Sequence, residues 1–98
     1  MRVATLQFNP TLGAVGHNIQ RATALLDASN LTHIDVLVLP ELAFSGYNFP
    51  NLAAIQPYLE PTAAGPSTQW AIETARRGNF HVIVGYPCLL YTSPSPRD

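Results

Sequence analysis

A chain of 98 residues is enough for one small domain with a modest core. Only 11% of it is charged and 47% is hydrophobic, against about 25% charged in a typical globular domain. That balance fits a piece of a larger body, or a chain that buries much of itself against a partner. The formal net charge of −1 argues against nucleic acid or an anionic membrane as partner.

The chain opens with MRVATLQF, which holds no apolar run of signal-peptide or transmembrane length. Its single cysteine, Cys88, excludes an internal disulfide and fits a reducing, cytoplasmic compartment. Arg2 to Phe8 alternates, with Ala4, Leu6 and Phe8 on one face, and predicts a strand with one firmly apolar side. Asn9-Pro10 breaks it. From Val15 the period changes. Val15, Ile19, Ala22 and Leu26 form a helical stripe that Leu25 widens, while Gln20, Arg21 and Asp27 lie off it. The spacing predicts an amphipathic helix of about four turns, with Asn30 as a left-handed cap near its end.

Val36-Leu37-Val38-Leu39 does not alternate, and predicts a strand covered on both faces, as in a parallel sheet. Residues 40 to 65 read as mostly irregular, with a short helix around Asn51 to Gln56. Pro66 opens a second clear helix, with Trp70, Ala71, Thr74 and Ala75 inward, Glu73, Arg76 and Arg77 outward, and Gly78 as its end. Phe80 to Val84 is the third strand. The order predicts an α/β fold, a βαβαβ unit with parallel strands.

Several chemistries fail against this layout. The turn after the first strand, Asn9 to Gly16, does not read G-x-G-x-x-G, so a dinucleotide fingerprint is absent. No lysine occurs anywhere, which removes a Walker loop. His17, His33 and His81 are scattered, so no metal site is expected. Ser45-Gly46 follows a strand but not within G-x-S-x-G.

Glu41 remains. It follows the most apolar strand at once, at the carboxyl end where open α/β sheets build their sites. Leu39, Leu42, Phe44 and Phe49 are expected to desolvate it, which favours a general base. The plainer alternative is an exposed acid capping a loop amide. Tyr47, Asn48 and Phe49 follow closely and are candidates for a substrate pocket, although such aromatics more often pack their own loop. Trp70 reads as core, His81 as structural, and Arg76-Arg77 as a solvated helix face.

VLVLPELAFSGYNF resembles the glutamate motif of the carbon–nitrogen hydrolase family, the nitrilase superfamily. MRVATLQFNPTLGAVGHNIQRA resembles that family's opening strand, turn and helix, and AAGPSTQWAIETARRGNFHVIVGYP its approach to the third strand. The resemblance covers residues 1–87. It implies the N-terminal βαβαβ portion of a nitrilase-like αββα sandwich, truncated here, whose half-sheet would pack on a second sheet. It also implies amide hydrolysis by a Glu-Lys-Cys triad, with no cofactor and no metal. Glu41 alone matches a triad position, as general base. Cys88 comes too early and lacks the motif of the nucleophile. GYNFPNLAAIQPYLEPTAAGP is most similar to the fungal branch that deamidates N-terminal Asn or Gln of proteins, which implies protein N-termini as partners. The resemblance leaves room for a homo-oligomer of the full-length protein. Three alternatives stand beside this reading: a non-catalytic binding or scaffold protein of the same fold, another small-amide or nitrile hydrolase of the superfamily, and an unrelated α/β domain that uses Glu41 structurally.

The last stretch, CLLYTSPSPRD, departs from the family pattern. It resembles translated sequencing-adapter sequence. Residues 88–98 are therefore expected to be a non-native, disordered tail on a native chain that runs on past Pro87.

Overall fold

The computed structural model describes residues 1–29 and 33–88. Three short parallel strands form one sheet in the order β1-β2-β3: β1 is Val3–Thr5, β2 is Val36–Val38 and β3 is His81–Ile83. The register aligns Ala4 with Leu37 and Leu37 with Val82. Between the strands lie α1, Val15–Asp27, and α3, Pro66–Gly78. A single helical turn, α2 at Leu52–Ile55, runs into a 3-10 turn at Gln56–Tyr58. The βαβαβ order and the short helix near residue 51 are as the periodicities predict. Among the described residues no helix is long and apolar enough to cross a membrane.

The core lies on one side of the sheet. Leu6, Leu37 and Leu39 are buried there with Ala22 and Leu26 of α1, and Trp70 of α3 packs against the same cluster. The predicted stripe of α1 is thus the buried one, except that Leu25 is exposed. Burying such a leucine contributes about 1.5–3 kcal/mol, so this face supplies most of the cohesion. The Trp70 ring meets Phe44 edge-on at 5.0 Å, and its Nε1 donates to Thr23 Oγ1 at 3.0 Å.

The other face departs from expectation. Val36 and Val38 are only half-buried, and their neighbours Val3 and Ile83 are 56% and 57% exposed. The continuous apolar run of β2 therefore has one covered face and one largely open face. The helix ends are as follows. Helix α1 stops at Asp27, with the Ala28 N–H bonded to Ala24 O. The predicted cap Asn30 lies outside the described residues. Helix α3 ends at Gly78 as expected, and the residue after it, Asn79, is left-handed at φ 57°. Asn tolerates that region because its short polar side chain bonds locally.

The N-terminus of α3 has an unusual cap. Glu60 is only 4% exposed, and its carboxylate accepts from the Ser67 backbone N–H at 3.0 Å and from Ser67 Oγ at 2.7 Å. An acceptor with negative charge suits the unpaired donors of a helix start. Gly65 makes room for it, since a Cβ there would lie 2.6 Å from Glu60 Cβ. The Glu60 backbone N–H donates to Pro87 O at 2.7 Å, and Glu60 pairs with Cys88 in an isolated parallel bridge. Cys88, expected to begin an unstructured tail, is thus held by the chain. Residues 89–98 lie outside the described residues.

Candidate active site

At the carboxyl ends of β1 and β2 two loops leave the sheet side by side. One runs from Gln7 to Ala14 and the other from Pro40 to Asn48. They enclose an open cleft of about 450 Å³, lined by Gln7, Phe8, Asn9, Pro10, Pro40, Glu41 and Tyr47. A second cleft of about 300 Å³ shares Asn9, Pro10 and Tyr47 and extends along Leu12, Gly46 and Asn48. Tyr47 stands between the two.

Glu41 follows Pro40 directly and lies in the first cleft. It is exposed, contrary to the expected desolvation. The reason is geometric. Leu39, Ala43 and Phe44 are buried in the core, and neither they nor Leu42 and Phe49 line the cleft that holds Glu41. Among the described residues the carboxylate has no hydrogen-bond or ion-pair partner. It is an acceptor left open to whatever occupies the cleft.

The turn that carries Glu41 is strained. Leu42 has φ 43°, in the left-handed region that a branched side chain rarely takes. The Gly46 N–H closes the turn on Leu42 O at 2.8 Å. Gly46 itself has φ 79°, a conformation glycine adopts without steric cost.

Of the three aromatic-loop candidates, Tyr47 lines both clefts and Asn48 the second. Phe49 lines neither. It stacks on Tyr58, with centroids 5.5 Å apart. Tyr58 in turn closes on Gly13, where φ is 73° and a Cβ would lie 2.7 Å from the Tyr58 hydroxyl. The structure therefore brings Glu41 and Tyr47 together and assigns Phe49 to packing. The Cys88 thiol lies 3.1 Å from Thr62 Oγ1, and Cys88 is not among the residues lining either cleft.

Sequence reasoning missed the wall contributed by the loop after β1 and what holds it. Arg21, read as part of a solvent-facing helix side, reaches back to donate to Asn9 O at 2.9 Å and lies 5.7 Å from the Phe8 ring centroid. Asn18, not singled out, is fully buried and bonded to both loops. Its signal was present, since it sits on the apolar stripe between Val15 and Ile19, where a polar side chain must find partners. Among the described residues no three His, Cys, Asp or Glu side chains gather as metal ligands.

A parallel βαβαβ half-sheet with a carboxylate on the loop after its central strand is the arrangement that the motif in residues 36–49 implied. Residues 2–94 match the carbon-nitrogen hydrolase family, and the chain belongs to it. Among its relatives is the protein N-terminal amidase of Schizosaccharomyces pombe, 38% identical over 91 residues, which cover 89% of this chain and 32% of that protein. The protein N-terminal amidase of Saccharomyces cerevisiae is 32% identical over 91 residues, covering 89% of this chain and 20% of that one. A crystal structure of N-terminal amidase superposes with a TM-score of 0.79 at 31% identity, over 86% of this chain and 20% of that chain. The same protein has been crystallised with Gln-Gly and Asn-Glu peptides. The fold is therefore the nitrilase fold, and the chain spans about a third or less of the length of these relatives.

Proposed function

We propose that residues 1–87 are the N-terminal part of an amidohydrolase that deamidates N-terminal Asn or Gln of proteins, with Glu41 as its general base. The observation that carries this reading is the Glu41 carboxylate, without a partner among the described residues, in an open cleft at the strand ends of a carbon–nitrogen hydrolase chain. The resemblance supplies the other two members of the triad as a lysine and a cysteine. The chain contains no lysine, and Cys88 is engaged away from the cleft lining, so both would come from sequence beyond these residues.

The chemistry balances with one base. Glu41 takes the proton of the thiol, because the thiolate is the competent nucleophile. The thiolate adds to the side-chain amide carbon, and the lysine ammonium stabilises the oxyanion that forms. Glu41 returns the proton to the amide nitrogen, ammonia leaves, and a thioester remains. Water then attacks the thioester while Glu41 accepts its proton. The acid leaves, the thiol regains its proton, and Asn has become Asp or Gln has become Glu. An exposed base suits both half-reactions, since ammonia must leave and water must enter by the same cleft.

The choice of protein N-termini as substrate is supported by the yeast relatives and by the peptide-bound crystal structures of the similar protein. The test is ammonia release by the full-length protein from peptides beginning with Asn or Gln. Peptides with the same residues N-acetylated should turn over at least a hundredfold more slowly, because a site that pairs with a free α-amino group is left with unsatisfied groups without it. Equal rates on acetylated peptides would move the substrate elsewhere in the family.

A further inference from the structure

We propose that Asn18 is a positioning residue for Glu41. It clamps together the two loops that form the cleft and holds the strained turn in which Glu41 sits; this rests on the reading of Glu41 as the base. Asn18 lies in the first turn of α1 and is 0% exposed. Its Oδ1 accepts from the Thr11 N–H at 2.9 Å, and its Nδ2 donates to Thr11 O and to Phe44 O, each at 2.8 Å. Both amide hydrogens and the amide oxygen are used, so the orientation of the side chain is fixed by its partners. Thr11 belongs to the loop that supplies Asn9 and Pro10 to the cleft. Phe44 belongs to the turn that supplies Glu41. A second tie runs parallel to the first, from the Gly13 N–H to Ser45 O at 2.8 Å.

The strain at Leu42 makes the clamp matter. A left-handed conformation there is disfavoured, because it crowds Cβ against the following carbonyl oxygen. Such a residue keeps its conformation only when its surroundings over-determine it. Two groups do so here: the burial of Ala43 and Phe44, and the bonds that Phe44 O and Ser45 O accept from the opposite loop. Without Asn18 one of those two bonds is lost, and the turn can relax toward an ordinary φ at Leu42. That rotation moves the residue directly before it, which is Glu41. A shift of about 1 Å in a reacting group can lower turnover about a hundredfold.

A purely structural asparagine would affect folding and leave the chemistry alone, so the test separates the two. Five forms of the full-length protein are compared: wild type, Glu41→Gln, Asn18→Asp, Asn18→Ser and Thr23→Val. Asn18→Asp keeps an acceptor for Thr11 but sets a carboxylate oxygen against two carbonyl oxygens. Asn18→Ser is smaller and uncharged and leaves room for water to take up the freed bonds. Thr23→Val removes the bond to Trp70 from the same helix; Thr23 itself bonds to neither loop and reaches Phe44 only through the Trp70 ring. The readouts are kcat and KM for ammonia release from an Asn-starting peptide, per folded molecule, beside thermal unfolding. The expected result is a kcat about a hundredfold lower in Asn18→Asp and at least about tenfold lower in Asn18→Ser, with KM changed less, while Thr23→Val is destabilised yet keeps kcat within about twofold. Folded Asn18 variants with wild-type kcat would overturn the positioning role. So would the case in which both Asn18 variants fail to fold while Thr23→Val folds, since Asn18 would then be a folding residue. If the wild type releases no ammonia, or Glu41→Gln matches it, the functional reading fails and the positioning role falls with it.

Discussion

Two glutamates in this chain meet opposite surroundings. Glu60 is buried and spends both carboxylate oxygens on Ser67. Glu41 is exposed, with no partner among the described residues. A buried carboxylate removed from its donors leaves them unsatisfied, at about 1–3 kcal/mol. Glu60→Ala should therefore destabilise the full-length protein by about 2 kcal/mol. Gly65→Ala should act through the same contact, because the added methyl group displaces Glu60. Thermal unfolding of both single variants and the double variant checks this. The double variant should lose clearly less than the sum of the singles, since both break one arrangement; full additivity would show that Gly65 serves something else. Only part of this was legible in the sequence. Glu41 stood out as an acid directly after an apolar strand. Glu60 did not, because it caps a helix seven residues further on, outside the spacing of ordinary caps. Asn18 was hidden by its helical setting, where a polar residue on the buried stripe is easily read as a neutral interruption.

Among elements, order and type were readable and caps and faces were not. Period 2 in β1 and period 3.6 in α1 and α3 fixed what forms, because each period places an apolar set on one side. Helix α3 ends at Gly78 as the sequence indicates, but the next residue, Asn79, holds φ 57° and the Phe80 N–H bonds back to Ala75 O, which the sequence did not show. Asn79→Gly should leave stability nearly unchanged, and Asn79→Ala should lower it by about 1 kcal/mol, since alanine gains nothing from that conformation. Equal unfolding temperatures for the two variants would show that the cap contributes little. The strand β2 shows a different limit. A run of Val and Leu states that both faces are apolar, but not that both are covered. Only the face carrying Leu37 and Leu39 is packed by α1 and α3.

At the scale of the molecule, one face of the sheet is left largely open. Val3 and Ile83 expose more than half of their surface on a face flanked by Val36 and Val38. An apolar sheet face, with β1 and β3 as edge strands among the described residues, promotes association. Residues 1–98 expressed alone should be poorly soluble and should release no ammonia from Asn-starting peptides. A soluble monomer that unfolds cooperatively would show that the face needs no cover, and hydrolysis abolished by Cys88→Ser would place the nucleophile in this chain after all. The claim on which the functional account turns is that Glu41 moves the proton, and one substitution addresses it. Glu41→Gln in the full-length protein keeps shape and removes proton acceptance. Measured against wild type on a peptide beginning with Asn, the variant should fold with an unchanged unfolding temperature, within about 1 °C because the exposed side chain has little to lose, and its kcat should fall by roughly a hundredfold to ten-thousandfold. Turnover by Glu41→Gln at the wild-type rate would contradict the account.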